Sequence, residues 1–137
     1  MAYNKILYTR TNTLYTDLDI SFKASPGTGD LLTKTDVDAV KQSYKNILFT
    51  NYLERPYTPY IAGDINKLLF NQRDRLTDYK IRTQLINILN TYEVRGVVTS
   101  VDVIYPPNNQ AIDITINFVM INNQNPQSLN VILTRRR

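Results

Sequence analysis

Apolar residues recur along this chain with two different periods, and the change of period divides it. Val37, Val40, Tyr44, Ile47 and Leu48 fall at helical intervals, so residues 36–49 read as an amphipathic helix. Lys41, Gln42 and Lys45 are assigned to its outward side, and Thr35 with Asp38 has the spacing of a capping box. Ile81, Leu85, Ile88, Leu89 and Tyr92 trace one face of a second helix over 78–91, with Thr77 as its N-cap and Asp78 at the positive end of its dipole. Between the two, residues 52–63 form a loop stiffened by Pro56 and Pro59. Asp64 is placed to cap a short helix over 65–72 that buries Ile65, Leu68 and Leu69, and Asn71 to Leu76 reads as a polar linker.

Past Gly96 the period falls to two. Val97, Val101, Val103 and Tyr105 share one face of a strand, and Pro106-Pro107-Asn108-Asn109 supplies a turn. Ile112, Ile114, Ile116 and Phe118 then alternate with polar residues in the return strand. A second turn over 122–127 leads to a last strand, 128–134, carrying Leu129, Val131 and Leu133 and closed by Arg135-Arg136-Arg137, which blunts it as an edge. The first 30 residues are thin in core positions. Leu7-Tyr8 and Leu14-Tyr15 sit in polar surroundings, Asp17 to Phe22 alternates like a short strand, and Ser25 to Asp30 is a turn. The expected organisation is a partly extended segment over 1–30, ordered against partners, followed by one α+β domain over 31–137. In that domain, amphipathic helices pack on an antiparallel sheet formed mainly by the C-terminal half.

Composition narrows the chemistry. The chain of 137 residues suits one hydrophobic core. With no cysteine and no histidine it has neither a thiolate nucleophile nor the usual near-neutral base, and a zinc site would have to be built from carboxylates alone. No stretch reaches the roughly 20 apolar residues that span a bilayer, and the first residues lack the pattern of a signal peptide. A soluble chain made to act inside the cell, or released by lysis, is expected, with no membrane partner. The net charge of +4 is scattered except at Arg135 to Arg137, so nucleic acid is not expected as a partner. Ten tyrosines and no tryptophan fit both the rim of a core and a wet protein interface.

Several short motifs carry a resemblance. In order, they are Leu14-Tyr15-Thr16-Asp17-Leu18-Asp19, Ser43-Tyr44-Lys45-Asn46, Arg55-Pro56-Tyr57, Asp64-Ile65-Asn66-Lys67-Leu68-Leu69-Phe70 and Tyr92-Glu93-Val94-Arg95. They resemble the family of baseplate wedge proteins of contractile-tailed phages, which has relatives among type VI secretion baseplate subunits and has carried a phage lysozyme label. The chain departs from the family at Val94, where the motif has proline, a change that softens the exit from the helix without removing the charged pair. The resemblance implies a virion protein of the tail baseplate, assembled in the host cytoplasm in multiple copies around a ring. Its implied partners are other wedge proteins and the tail sheath, with the tail tube as a further candidate, and its strand-bearing half would template the first sheath ring.

The residues expected at protein interfaces are Tyr92, Glu93 and Arg95 at the helix-to-strand corner, Arg55, Pro56 and Tyr57 on the loop, and Leu129, Val131 and Leu133 on the last strand. Glu93 and Arg95 read either as a surface ion pair of small worth or as charges projecting from a rigid corner toward a partner. The rival function is a cell-wall glycoside hydrolase. That chemistry generally needs two carboxyls across one cleft; Glu54 and Glu93 are the only glutamates, with Asp64, Asp74 and Asp78 nearby in sequence, and periodicity pairs none of them. No catalytic residue, cofactor or metal is expected.

Overall fold

The computed structural model describes residues 14–68, 75–107 and 111–134. It divides into two compact units, Met1–Ala39 and Val40–Arg137. Leu7-Tyr8, the helical positions 69–72, the turn residues Asn108 and Asn109, Asp74 and the arginine tail lie outside the described residues.

In the first unit, β1 (Thr16–Leu18) pairs antiparallel with β2 (Thr33–Thr35), a strand that the residue pattern did not announce. The loop joining them is pinned by an Ala24–Leu31 bridge and by Ser25 N–H donating to Asp30 O at 2.7 Å, so the turn expected over 25–30 is present. The strand expected over 17–22 stops at Leu18, and Ile20 and Phe22 are exposed. At the start of α1 (Asp36–Phe49), Asp36 has φ 43° and its carboxylate accepts the backbone N–H groups of Leu14 and Tyr15. Aspartate tolerates that left-handed conformation because its short polar side chain can bond locally.

The second unit is an α+β sandwich of two long helices on a three-stranded antiparallel sheet, ordered β3-β4-β5. From α1 the chain passes to α2 (Ile65–Leu68), α3 (Arg75–Tyr92), β3 (Gly96–Ile104), β4 (Ala111–Met120) and β5 (Pro126–Thr134). Val40, Tyr44, Ile47 and Leu48 from α1 and Ile81, Leu85 and Leu89 from α3 are buried, as the helical period requires. Gln42, assigned to the outward side, is buried too, while Tyr92 at the end of the α3 face is partly exposed. The sheet contributes Ile112, Ile114, Ile116, Phe118 and Met120 from β4 and Leu129, Val131 and Leu133 from β5. Tyr44 of α1 meets Phe118 edge to face at 5.0 Å and 77°.

Two expectations shift. Arg75, Leu76 and Thr77 all lie within the third helix, so Thr77 is a helical residue and not its N-cap; Arg75 and Leu76 are good helix formers and carry the helix upstream of it. On β3 a bulge lies between Val98 and Ser100. The extra residue reverses the alternation, so Val98, Val101 and Val103 are buried while Val97 is exposed, although Val97 had been assigned to the inner face.

Candidate protein-interaction site

The corner between α3 and β3 holds the charged pair singled out by the motif. Glu93 is only 4% exposed, so it does not project toward a partner as expected. Its Oε1 accepts the Arg95 backbone N–H at 3.1 Å and Arg95 Nε at 2.8 Å, and its Oε2 accepts a terminal Arg95 nitrogen at 2.8 Å. Burial alone would raise the Glu93 pKa; the hydrogen bonds from Arg95 and Ser43 outweigh it and hold the carboxyl below its ordinary value. A carboxylate this enclosed is stable only when its lone pairs are occupied, which is why it turns inward onto Arg95. Arg95 is half-buried, and its carbonyl accepts the Ile121 N–H at 3.1 Å, tying the corner to the turn after β4. Gly96 follows because a Cβ there would sit 2.8 Å from Tyr44 Oη. The Tyr44 hydroxyl is buried with no hydrogen-bond partner among the described residues, and burial pushes its pKa well up, with the Glu93 charge adding to the effect. The outer skin of the corner is therefore Tyr92 and Val94, the latter 74% exposed. Valine at that position drew attention as a departure from a motif and not as a contact.

The loop after α1 is clamped at several points. Gly63 N–H donates to Ile47 O at 2.8 Å and Thr50 Oγ1 to Asn46 O at 2.6 Å, so the loop closes carbonyls at the end of the helix. The Asp64 carboxylate does not cap its own helix as expected. Oδ1 accepts Tyr52 N–H across the loop at 2.9 Å, and Oδ2 pairs with Lys67 at 2.7 Å. Leu53 N–H donates to Pro59 O at 3.1 Å. On this frame Arg55, Pro56 and Tyr57 are all exposed, Tyr57 by 97%.

Two hollows flank the loop. One of about 440 Å³ is lined by Asn46, Phe49, Thr50, Glu54, Arg55 and Pro56. The other, about 230 Å³, brings Tyr57, Tyr60 and Tyr92 together, with Tyr92 Oη donating to Tyr60 O at 3.1 Å. The loop and the corner, far apart in sequence, thus form one aromatic surface. Among the described residues, the carboxylates weighed for hydrolysis each have a partner: Glu54 accepts Asn51 N–H, Glu93 holds Arg95, Asp64 holds Tyr52 and Lys67, and Asp78 accepts the Tyr105 hydroxyl at 3.1 Å.

The last strand is a sheet edge, but Leu129, Val131 and Leu133 face the core and are 6%, 5% and 4% exposed. As interface side chains they are corrected: their pleat points inward, and what the edge offers outward is backbone. Which backbone groups those are follows from the register. Val98 N–H donates to Asn90 Oδ1 at 2.7 Å, so the backbone groups of Val98 point away from β4. Along an antiparallel ladder the residues bond alternately to one neighbour and the other. Phe118, opposite Val98, therefore turns to β5 and its partner Gln127. The same parity comes from Val103, whose carbonyl accepts from Arg82 at 3.4 Å and which faces Ile114 and, beyond it, Val131. Gln127, Leu129, Val131 and Leu133 thus bond to β4, and the N–H and C=O groups of Ser128, Asn130 and Ile132 point out of the sheet.

No family model and no curated protein matches this sequence. Solved structures resemble the fold, among them the following two. A crystal structure of a protein from Geobacter sulfurreducens, named provisionally as a tail lysozyme, matches with TM-score 0.64 at 19% identity over 72% of this chain and 90% of its own. A chain of the anti-feeding prophage baseplate, solved by cryo-EM with six-fold symmetrisation, matches with TM-score 0.61 at 15% identity over 90% of this chain and 87% of its own. The chain has the fold of a baseplate chain. At these identities the fold is what the two matches share with it.

Proposed function

We propose that this chain is a structural component of the baseplate of a contractile tail, in the wedge protein family that its motifs resemble, and acts in the virion after assembly in the host cytoplasm. The observation that carries the reading is the match to a baseplate chain over 90% of the sequence. The open β5 edge and the clamped aromatic surface are features that an assembly part would use. Several copies stand in a ring, and each offers the Arg55–Pro56–Tyr57 loop with Tyr92 and Val94 to neighbouring wedge proteins, with the tail tube as a further candidate neighbour. Arg95, oriented by Glu93, supplies a charged contact beside them. The β5 edge takes up an extended segment of the tail sheath, backbone to backbone at Ser128, Asn130 and Ile132, and so starts the first sheath ring. The reading is not hydrolytic.

Asn130→Pro tests it, because proline at Asn130 removes an outward donor and no backbone bond to β4, losing on that side only the side-chain bond to Thr115. In a producing strain lacking the chain, complemented with the variant, a folded protein should enter baseplates that carry markedly fewer sheaths. Sheaths of normal number and length would overturn the strand-acceptor role.

A further inference from the structure

A three-stranded sheet has two edges, yet the two are finished differently. Along β3 the neighbouring helix α3 sets a stripe of polar side chains four or eight residues apart. Asp78 accepts the Tyr105 hydroxyl just past the strand, Arg82 reaches Val103 O at 3.4 Å and lies 3.6 Å from Asp102, and Asn90 meets both backbone groups of Val98. The Asn90 amide does there what an adjacent strand would do, with Oδ1 accepting the Val98 N–H at 2.7 Å and Nδ2 directed at the Val98 carbonyl at 3.5 Å. Helix and strand run in opposite directions, so the stripe follows the edge for most of its length. On β5, among the described residues, no side chain meets the outward groups of Ser128, Asn130 and Ile132.

The asymmetry has a physical consequence. If both edges were open, β5 of one copy could pair with β3 of the next, and that head-to-tail contact leaves a free edge at each end to which further copies can add. A protein that must keep β5 available therefore has reason to shut β3. We propose that Asn90 and Arg82 form an edge lock that takes both backbone groups of Val98 and the Val103 carbonyl, confines strand addition to β5 and blocks polymerisation of this chain with itself. The proposal rests on the strand-acceptor reading of β5 and identifies the occupant that the other edge excludes as a second copy of the chain.

The test uses the isolated full chain, whereas the sheath role is measured in assembled tails, so either can fail alone. In the unmodified protein, the Val98 amide should exchange with solvent at least about tenfold more slowly than the Asn130 amide, because only the former is bonded. The Asn90→Ala/Arg82→Ala double variant, checked by circular dichroism for a native spectrum, should self-associate into open-ended oligomers in sedimentation velocity. Its association should be about tenfold tighter than that of the parent, or more. Adding Asn130→Pro should return it to the parent's behaviour, since the oligomer is built from β5 on β3. An unprotected Val98 amide in the parent overturns the lock. So does a folded double variant that associates no more than the parent, or one whose association survives Asn130→Pro. Should the double variant fail to fold, Asn90→Asp decides. It keeps the acceptor for Val98 N–H and loses the donor, and Val98 must then stay protected if the Asn90 oxygen makes the bond.

Discussion

Glu93 shows how one side chain can serve a surface without being on it. Its carboxylate is enclosed and spends both oxygens on Arg95, fixing the guanidinium at the corner. Because its pKa is depressed in the folded chain, it adds stability that is present above the ordinary glutamate value of 4.5 and lost as the pH falls below it. Glu93→Gln should lower stability by about 2 kcal/mol at neutral pH, the worth of charge-assisted bonds at an enclosed site. The gap between variant and parent should close in acid, because the parent alone loses a charge there. Denaturant melts of both proteins at neutral pH and well below 4.5 check this; a gap that stays constant would mean that the Glu93 charge contributes nothing.

At the scale of elements, the loop between α1 and α2 keeps its shape through backbone proximity. A Cβ on Gly63 would lie 2.5 Å from Leu48 Cα and 2.8 Å from Ile47 O, and backbone atoms cannot step aside. Gly63→Ala should therefore cost about 3 kcal/mol and free the Tyr57 loop from the end of the helix. Thermal melts give the first quantity. Amide exchange at Gly63 and Leu53, slow in the parent and fast in the variant, gives the second. A variant with the parent's melting temperature would show that the loop adapts and that the aromatic surface does not depend on this approach. The bulge on β3 works at the same scale: one extra residue decides whether Val97 or Val98 enters the core.

For the whole molecule, the chief rival of an assembly part is an enzyme acting on cell walls. Each described carboxylate weighed for that role is engaged by a backbone N–H, a hydroxyl or a cation. Purified chain incubated with peptidoglycan should release no soluble sugar fragments above the level of a heat-treated control. Release that disappears in Glu54→Gln or Glu93→Gln would replace the structural reading by a hydrolytic one.

Periodicity determined much of this protein unaided. The 14-residue helix from Asp36 to Phe49, the apolar face of α3 and the inward residues of β4 and β5 follow from repeats of 3.6 and 2, because burying one side of an element requires them. The tertiary structure decided what periodicity does not encode. A bulge changes parity with no mark in composition. The direction of the Glu93 side chain depends on Arg95 and Ser43, and the carboxylate of Asp64 goes to a loop amide twelve residues away. The union of Tyr57, Tyr60 and Tyr92 on one surface, and the covering of β3 by α3 while β5 stays open, arise from contacts between segments distant in sequence. The alternation of Leu129, Val131 and Leu133 was legible, but it marked the core side of the strand. The interacting groups of an edge are backbone atoms that every residue carries, so only the pairing of strands reveals which of them remain unpaired.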